Sequence, residues 1–298
     1  MDFGPSFCYT NFAFTMTDLA IIVLQKNEAL HIRRCLEKLK PLEPRQVFVV
    51  DCLSTDGSDV MAKEMGATVV YHEWPGLYAV QFNWALDNCP IQAKWVLRMD
   101  ADEYLYPETI RELVQQLTDT NLSDDVSAFS LPLSRTFLGH PVKRGVGKVV
   151  LTRVFRYGIG RCEERKMDEH ITLSMGRTVA LKHGFVDDNL NGIDWWTQKH
   201  LGYAAREAAD LMEQSNGETA QKLTGQAARK RRAKGIYARM PLFWRALAYF
   251  CYRYFLRGGF LEGKAGFQWH FFQGLWYRML VDAKIWKLRQ ELKRKDQT

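Results

Sequence analysis

The chain has 298 residues, 47% of them hydrophobic and 25% charged, a composition typical of a folded globular protein that excludes a disordered chain. The net charge of +7 is unevenly distributed: residues 229–298 hold 17 Lys and Arg against 4 Asp and Glu, so residues 1–228 are mildly acidic. The six cysteines are scattered without a CxxC pair, and no stretch reaches the ~18 apolar residues of a membrane-spanning helix, so we expect a reduced, cytosolic protein without a zinc site, a disulfide framework or a transmembrane segment.

The first half of the chain alternates strand and helix patterns. Strands are predicted at 19–25, 46–51, 67–72 and 94–100, and helices at 28–40, 59–66, 78–89 and 107–117. Further strands are predicted at 126–133 and 148–157, followed by a helix at 194–212. This alternation predicts an α/β fold with a mostly parallel, doubly wound sheet and helices on both of its faces.

The chain divides into four predicted parts. Residues 1–15 form an N-terminal extension that lacks the features of a signal peptide, and Met16 is a second candidate start. Residues 16–212 form the α/β domain, 213–228 a linker, and 229–298 a helical C-terminal region.

The C-terminal region contains 16 of the 38 aromatic residues together with its excess of basic residues. Helices of this composition are typical of a surface that lies in the membrane interface, and the basic cluster 229–234 would be attracted to anionic lipid. Two alternatives remain: the helices pack on the α/β body, or the charges bind nucleic acid. Because no recognised nucleic-acid motif accompanies the charges, the predicted partner is the membrane.

Polar clusters follow three of the predicted strands, at the points where those strands end. They are Asn27-Glu28, Asp51 and the segment from Asp100 to Glu103. Ligands of open α/β sheets bind at the carboxyl ends of the strands, so one cleft could collect all three clusters.

The third cluster places Asp100 and Asp102 two positions apart. Extended residues alternate sides, so both carboxylates can point the same way. Such a pair favours Mg²⁺ or Mn²⁺, which is held by one or two carboxylates plus substrate phosphates and neutralises a diphosphate leaving group. The alternative is that these carboxylates bind no metal and only precede the helix that begins at Pro107, whose N-terminus favours negative charge.

The chain resembles the family 2 glycosyltransferases, which are inverting enzymes with a GT-A fold. The resemblance is strong over residues 18–105 and weak over 126–212, and its closest subgroup builds bacterial lipopolysaccharide core, capsule or exopolysaccharide. It rests on "IIVLQKNEALHIRRCL", "VFVVDCLSTDGS", "WPGLYAVQFNWAL" and "WVLRMDADEYL". It implies a Rossmann-like GT-A domain, to which the basic and aromatic helical region is appended.

The resemblance assigns roles to four carboxylates. Glu28 and Asp51 would hold the nucleoside of a nucleotide-sugar, with Asp51 contacting the base. Asp100 would lie near the ribose and the metal, and Asp102 would ligate the metal. The alternative role for Asp51 is helix capping, which is also the role expected for Asp56 beside Gly57.

Two further residues match the family pattern. Asn83 corresponds to the asparagine of an Arg-Asn pair, although Phe82 stands where arginine is usual. Arg153 lies in "LTRVFRY", which resembles a basic strand of the subgroup, and could face the donor phosphates.

An inverting transferase needs a base that deprotonates the acceptor hydroxyl. The resemblance places this base in "RKMDEHITL", where Glu169 is preferred and Asp168 is the second candidate. The alternative is an exposed cluster of charges at a strand end. His183, Lys199 and His200 are weaker candidates, because a lone histidine on an apolar helix is usually a packed residue.

The expected function is transfer of a sugar, with inversion, from a nucleotide-sugar to a hydroxyl of a lipid-linked saccharide in bacterial surface polysaccharide synthesis. The protein would be cytoplasmic and peripheral on the inner face of the cell membrane. One alternative is a transferase acting on polyprenyl phosphate, which needs no strong base. The other is a non-catalytic membrane or nucleic-acid adaptor on a decayed transferase fold.

Overall fold

The computed structural model describes residues 16–164, 169–215, 235, 237 and 239–295. The predicted extension (1–15), the basic cluster (229–234) and residues 216–228 of the predicted linker lie outside the described residues.

Each predicted strand and helix has a counterpart in the described ranges. The strands are β1 (Thr17–Gln25), β2 (Pro44–Asp51), β3 (Thr68–Tyr71), β4 (Trp95–Asp100), β5 (Glu103–Leu105), β6 (Val126–Phe137), β7 (His140–Val142), β8 (Val150–Arg156), β9 (Gly160–Cys162), β10 (Ile171–Leu173), β11 (Arg177–Ala180) and β12 (Phe185–Asp187). Of these, the short strands β5, β7, β9, β10, β11 and β12 were not predicted. The α-helices are α1 (Ile32–Leu39), α2 (Ser58–Glu64), α3 (Tyr78–Asn88), α4 (Pro107–Thr118), α5 (Ile193–Ser215), α6 (Trp244–Cys251), α7 (Gly263–Trp269) and α8 (Tyr277–Lys295). Two π-helical segments, Tyr252–Leu256 and His270–Trp276, continue α6 and join α7 to α8.

The main sheet has the strand order β3-β2-β1-β4-β8-β6-β12-β5. Strands β3, β2, β1 and β4 are parallel, as predicted, because helices α1 to α3 provide the crossovers. Strand β8 lies antiparallel between β4 and β6, so the second half of the sheet is mixed. The predicted α/β class is confirmed.

The side chains of β1 alternate between two hydrophobic cores. The odd-numbered residues from Leu19 to Val23 pack with α1, and the even-numbered residues from Ala20 to Leu24 pack with α3. A strand that buries both faces reads as a continuous apolar run, which is the pattern of this segment. Helices therefore cover both faces of the sheet, as predicted.

The C-terminal helices pack on the rest of the chain. Helix α8 lies along α5 through a small core that includes Ala204, Ala208 and Val281. The buried guanidinium of Arg245 is paired with the carboxylate of Asp282, with a distance of 2.7 Å between Nε and Oδ1. Packing on the body, one of the alternatives for this region, is thus observed for the described helices. No helix in the described ranges is both long and apolar enough to cross a membrane.

Candidate active site

The carboxyl ends of β1, β2 and β4 lie side by side, because Gln25 pairs with Asp51 and Leu24 pairs with Asp100 in the parallel register. A cavity of about 780 Å³ opens at this edge of the sheet. Glu28, Asp100 and Asp102 all line it, so the structure brings together carboxylates from two of the predicted clusters.

A smaller cavity of about 260 Å³ adjoins the larger one and is lined by Arg98, Arg153 and Glu169. Some residues line both cavities: Tyr78, Asp100, Tyr203 and Arg206. The carboxylate of Asp100 therefore lies where the two spaces meet.

Asp100 ends β4 with an unsatisfied side chain. Its Oδ1 atom is buried and has no hydrogen-bond partner among the residues that the structure describes. Its backbone N–H donates to Oε2 of Glu103 over 2.9 Å, which fixes the turn that follows the strand. A buried carboxylate oxygen without a donor is a suitable ligand for a cation.

Asp102 is held in place by the loop that follows β12. Its Oδ2 atom accepts a hydrogen bond from Nδ2 of Asn189 over 2.9 Å. The Oδ1 atom of Asn189 accepts in turn from the backbone N–H of Asn191 over 3.0 Å, which sets the orientation of the amide. The carboxylate of Asp102 is therefore positioned before any ligand binds.

The larger cavity concentrates negative charge. Burial raises the pKa of Glu28, with a further increase from Asp102. Partial desolvation and the charge of Asp102 raise the pKa of Asp187. Burial also raises the pKa of Glu103, with Asp100 and Asp102 adding to the shift against the opposing effect of Arg153. Carboxylates that resist ionisation in this way favour a bound cation.

Glu28 lies in a turn that occupies the first part of the predicted helix 28–40. The backbone N–H of His31 donates to the carbonyl oxygen of Glu28 over 2.9 Å, and α1 begins only at Ile32. Its Oε2 atom lies 2.5 Å from Nδ1 of His31, while Nε2 of the same ring accepts from the backbone N–H of Leu190. The carboxylate is thereby held at the cavity wall.

Asp51 is fully buried at the end of β2. Its Oδ2 atom accepts from Nε2 of Gln25 and its Oδ1 atom from the backbone N–H of Ser54, both over 2.7 Å. These bonds fix the loop beside the cavity, which Gln25 and Cys52 line. The contact of Asp51 with a nucleoside base stays a prediction. Asp56 accepts from the backbone N–H of Ser58 and from that of Ala29, but the N-cap residue of α2 is Gly57 and no side chain caps this helix, so the predicted capping role of Asp56 is wrong.

Asn83 connects α3 to β9. Its side-chain amide donates to the carbonyl oxygen of Cys162 and accepts from the N–H of the same residue, each over 2.9 Å. Phe82, the neighbour that replaces the usual arginine, is fully buried, and the guanidinium of Arg98 lies 5.2 Å from its ring centre. A nucleotide contact of Asn83 stays a prediction.

Arg153 lines the smaller cavity and is almost fully buried. Its guanidinium forms an ion pair with Glu103, in which NH2 and Oε1 are 2.5 Å apart. The predicted contact with donor phosphates therefore requires that the guanidinium of Arg153 bind the phosphates while it stays paired with Glu103.

Glu169 also lines the smaller cavity, where its Oε1 atom lies 3.0 Å from NH2 of the buried Arg98. The side chain is largely buried, unlike the exposed charge of the alternative interpretation. Asp168, the second candidate base, lies outside the described residues.

Sequence reasoning missed the aromatic wall of the larger cavity. Helix α5 contributes Trp195, Trp196 and Tyr203, and α7 contributes Trp269. The signal that could have indicated this wall is the spacing of Trp196, His200 and Tyr203, which are four and three residues apart and so share one face of α5. The imidazole of His200 stacks on Trp196 at 3.5 Å between ring centres, and burial lowers its pKa to about 4, so it is neutral at pH 7.

Among the described residues, neither cavity contains a metal site made of protein ligands alone. Within the described ranges, no group of three or more His, Cys, Asp and Glu side chains is placed to hold an ion. Mg²⁺ and Mn²⁺ are instead commonly held by one or two carboxylates plus substrate phosphates. Asp100, with its unpaired oxygen, and Asp102 fit this second kind of site.

A family model and the relatives compared with this chain are all described as glycosyltransferases. Residues 20–185 match the family model described as glycosyl transferase family 2. A Rickettsia bellii (strain RML369-C) protein described as an uncharacterized glycosyltransferase is 31% identical over 115 residues, which are 39% of this chain and 37% of the relative. A similarly described protein of Rickettsia prowazekii (strain Madrid E) is 33% identical over 124 residues, or 42% and 41% of the two chains. The chain thus spans about 40% of the length of these curated relatives.

One solved structure has a similar fold over most of the length of both chains. It is a mannosyltransferase from Pyrobaculum calidifontis in complex with GDP-Man and Mn²⁺. It superimposes with a TM-score of 0.50, covering 91% of this chain and 88% of that chain, at 16% sequence identity. At this identity the similarity concerns the fold alone, which is the predicted GT-A-like α/β architecture.

Proposed function

Because the chain belongs to glycosyl transferase family 2, we propose that it moves a sugar from a nucleotide-sugar donor to a hydroxyl of a lipid-linked saccharide, with inversion. The supporting observation is the pair Asp100 and Asp102 at the carboxyl edge of the sheet, where one buried carboxylate oxygen has no partner among the described residues. The proposed pathway is the synthesis of a bacterial surface polysaccharide.

In this proposal the larger cavity binds the donor. Asp100 and Asp102 would hold Mg²⁺ or Mn²⁺ together with the donor diphosphate, and the ion would neutralise the charge that develops on the leaving group. Glu28 and Asp51 would hold the nucleoside. The fixed positions of Asp102 and Glu28 mean that little ordering is needed when the donor binds.

The smaller cavity would provide the base. Glu169 would take the proton of the acceptor hydroxyl. At the same time the hydroxyl oxygen of the acceptor would form a bond to the anomeric carbon of the donor sugar, and the bond between that carbon and the diphosphate oxygen would break. Attack from the face opposite the leaving group inverts the anomeric centre. Arg98 would hold the carboxylate during the reaction through its hydrogen bond to Oε1.

The first test is donor hydrolysis by the full chain against a panel of UDP-, GDP-, CMP- and dTDP-sugars. We expect release of nucleotide from at least one donor with Mn²⁺ or Mg²⁺ and none after EDTA treatment. A chain that binds and hydrolyses no donor would favour the adaptor alternative. Transfer to polyprenyl phosphate, with no transfer to a saccharide hydroxyl, would favour the other enzyme class.

We also propose a division of the chain into the α/β domain at 16–212, a linker at 213–228 and the C-terminal region at 229–298. The C-terminal region would lie on the cytoplasmic face of an anionic membrane. The support is a set of exposed large apolar side chains between residues 243 and 271, which we term the tail face. The exposed large apolar side chains of the tail face are Phe243, Trp244, Leu247, Tyr252, Phe255, Leu256, Phe260, Leu261, Phe267 and Phe271. The rings of Phe255, Phe260 and Phe267 lie 5.1, 6.3 and 5.8 Å from the ring of Tyr254, and basic residues such as Arg257 and Lys264 are close to them in the sequence. Exposed aromatic residues next to basic ones suit the headgroup boundary.

Substitution of Phe255 and Leu256 together by serine should weaken binding to vesicles of phosphatidylcholine and phosphatidylglycerol by about 10- to 100-fold. These two side chains are 56% and 79% exposed, so the change removes apolar area that the bilayer would bury without disturbing the core. Sedimentation with vesicles measures the effect. The matched control replaces the exposed Trp286 and Leu292 of α8 by serine. Equal loss in both variants, or no vesicle binding by the unmodified protein, would contradict the membrane proposal.

A further inference from the structure

The backbone and the side chain of Asp102 are both held by the two residues that follow β12. The backbone N–H of Asp188 donates to the carbonyl oxygen of Asp102 over 3.1 Å. The next residue, Asn189, donates from Nδ2 to the carboxylate of Asp102 over 2.9 Å. The orientation of Asp102 in the larger cavity therefore depends on where residues 188 and 189 lie.

Arg34 of α1 fixes the first of these two residues. Its NH1 atom donates to Oδ2 of Asp188 over 2.5 Å, and its NH2 atom donates to the carbonyl oxygen of Asp188. The same NH2 atom lies 3.4 Å from the carbonyl oxygen of Asp102. The hydroxyl of Thr136, near the end of β6, donates to Oδ1 of Asp188. Because a guanidinium presents its donors in a fixed planar fork, Arg34 joins α1 to the turn at Asp102 and to the segment after β12 in one arrangement.

The ion pair of Arg34 and Asp188 stands behind the larger cavity and not in its wall. Of the described residues, Asp102 and Asn189 line this cavity, whereas Arg34 and Asp188 line neither cavity. The side chains of the pair are 22% and 13% exposed, so the pair is largely shielded from water. It can therefore act on a bound cation through the residues that it holds in place, and not as a ligand.

We propose that Arg34 and Asp188 are positioning residues that set the affinity of the site for Mg²⁺ or Mn²⁺ by holding Asn189 against Asp102. The inference rests on the proposed function, since it takes Asp102 as a ligand of the metal. Partners that orient a metal ligand typically contribute about 10- to 100-fold to metal affinity, because a ligand that is already oriented loses little freedom when the ion binds.

The test measures Mn²⁺ binding to the full chain at saturating UDP or GDP, with free Mn²⁺ counted by electron paramagnetic resonance. Arg34→Lys keeps the charge but lacks the planar fork, and Asp188→Asn keeps the shape but removes the ion pair. Each should raise the Kd for Mn²⁺ by about 10-fold. Arg177→Lys is the matched control, because Arg177 forms an exposed ion pair with Asp125 over 2.6 Å, and it should bind Mn²⁺ like the unmodified protein.

A double variant tests whether Arg34 acts through Asn189. Asn189→Ala removes the hydrogen bond to the carboxylate of Asp102 and should also raise the Kd for Mn²⁺ by about 10-fold. If Arg34 acts by way of Asn189, adding Arg34→Lys to Asn189→Ala should raise the Kd by less than about twofold more. Effects that multiply in the double variant would show that the two residues act independently, and would overturn the proposal.

Nucleotide binding without metal separates positioning from a general role in stability. After EDTA treatment, the Kd for UDP or GDP should stay within about twofold in Arg34→Lys and Asp188→Asn, because only the orientation of the metal ligand has changed. Equal weakening of nucleotide binding with and without Mn²⁺, or an unchanged Mn²⁺ affinity in both variants, would overturn the proposal while leaving the proposed function intact. No Mn²⁺-dependent nucleotide binding by the unmodified chain would overturn both. Circular dichroism checks that each variant is folded.

Discussion

Asp102→Asn should strongly weaken metal-dependent nucleotide binding while leaving the fold intact. The substitution removes the negative charge proposed to face the cation, but the new amide oxygen can still accept the hydrogen bond from Asn189 that holds this side chain. Loss of one of only two proposed protein ligands should weaken binding by about 100-fold or more, since changes even beyond the ligands cost 10- to 100-fold. Calorimetric titration of UDP and GDP, with and without Mn²⁺, measures the loss.

Asp187→Asn is the matched control for Asp102→Asn. Asp187 lines the same cavity and is the same residue type, but it has no proposed ligand role, and its ion pair with Arg135 is long at 3.8 Å. A modest, salt-dependent weakening is expected from the lost charge alone. If the two variants lose the same affinity, the cavity attracts the metal through its general charge and the ligand role of Asp102 is wrong.

Glu169→Gln should reduce turnover by about 10²–10⁴ with little change in donor affinity, because a general base contributes on this scale to the chemical step. The amide oxygen can still accept the hydrogen bond from Arg98, so the side chain should keep its place in the smaller cavity. Single-turnover rates with saturating donor and acceptor, together with the Kd of the donor, separate the chemical step from binding. Glu164→Gln, an exposed carboxylate of the same loop, is the control.

The pattern of rates also separates the alternatives for the base. Near-normal turnover of Glu169→Gln together with slow turnover of Asp168→Asn would assign the base to Asp168. Near-normal turnover of both variants would favour polyprenyl phosphate as the acceptor, because an acceptor that is already ionised needs no strong base.

The basic and aromatic composition of the C-terminal region fits both packing on the α/β body and binding to a membrane. Ala204 of α5 and Val281 of α8 share a core, so this region is packed on the body. Trp244 of α6 and Leu256 of the π-helical segment after it are 70% and 79% exposed, so other helical segments of the same region present apolar side chains to a partner. Composition alone could not separate these faces, because both contain aromatic residues next to basic ones. Removing the whole region would expose the core shared with α5, which is why surface substitutions are the sharper test.

The sequence by itself determined the first half of the fold and the place of the site. The apolar runs of β1, β2 and β4 and the helices between them are local patterns of hydrophobicity, which depend on a few neighbouring residues. Parallel strands share one direction, so polar residues at their carboxyl ends must meet at one edge, as Glu28, Asp100 and Asp102 do.

Only the tertiary structure decided which of these side chains are free to bind a ligand. Asn83 bonds to the backbone of Cys162 and Arg153 pairs with Glu103, and neither partner is close in the sequence. Trp269 lines the cavity while packing against Phe137 and Val142, which are more than 100 residues away in the sequence. Hydrogen bonds and packing between distant segments depend on the three-dimensional meeting of side chains, for which a single sequence contains no local signal.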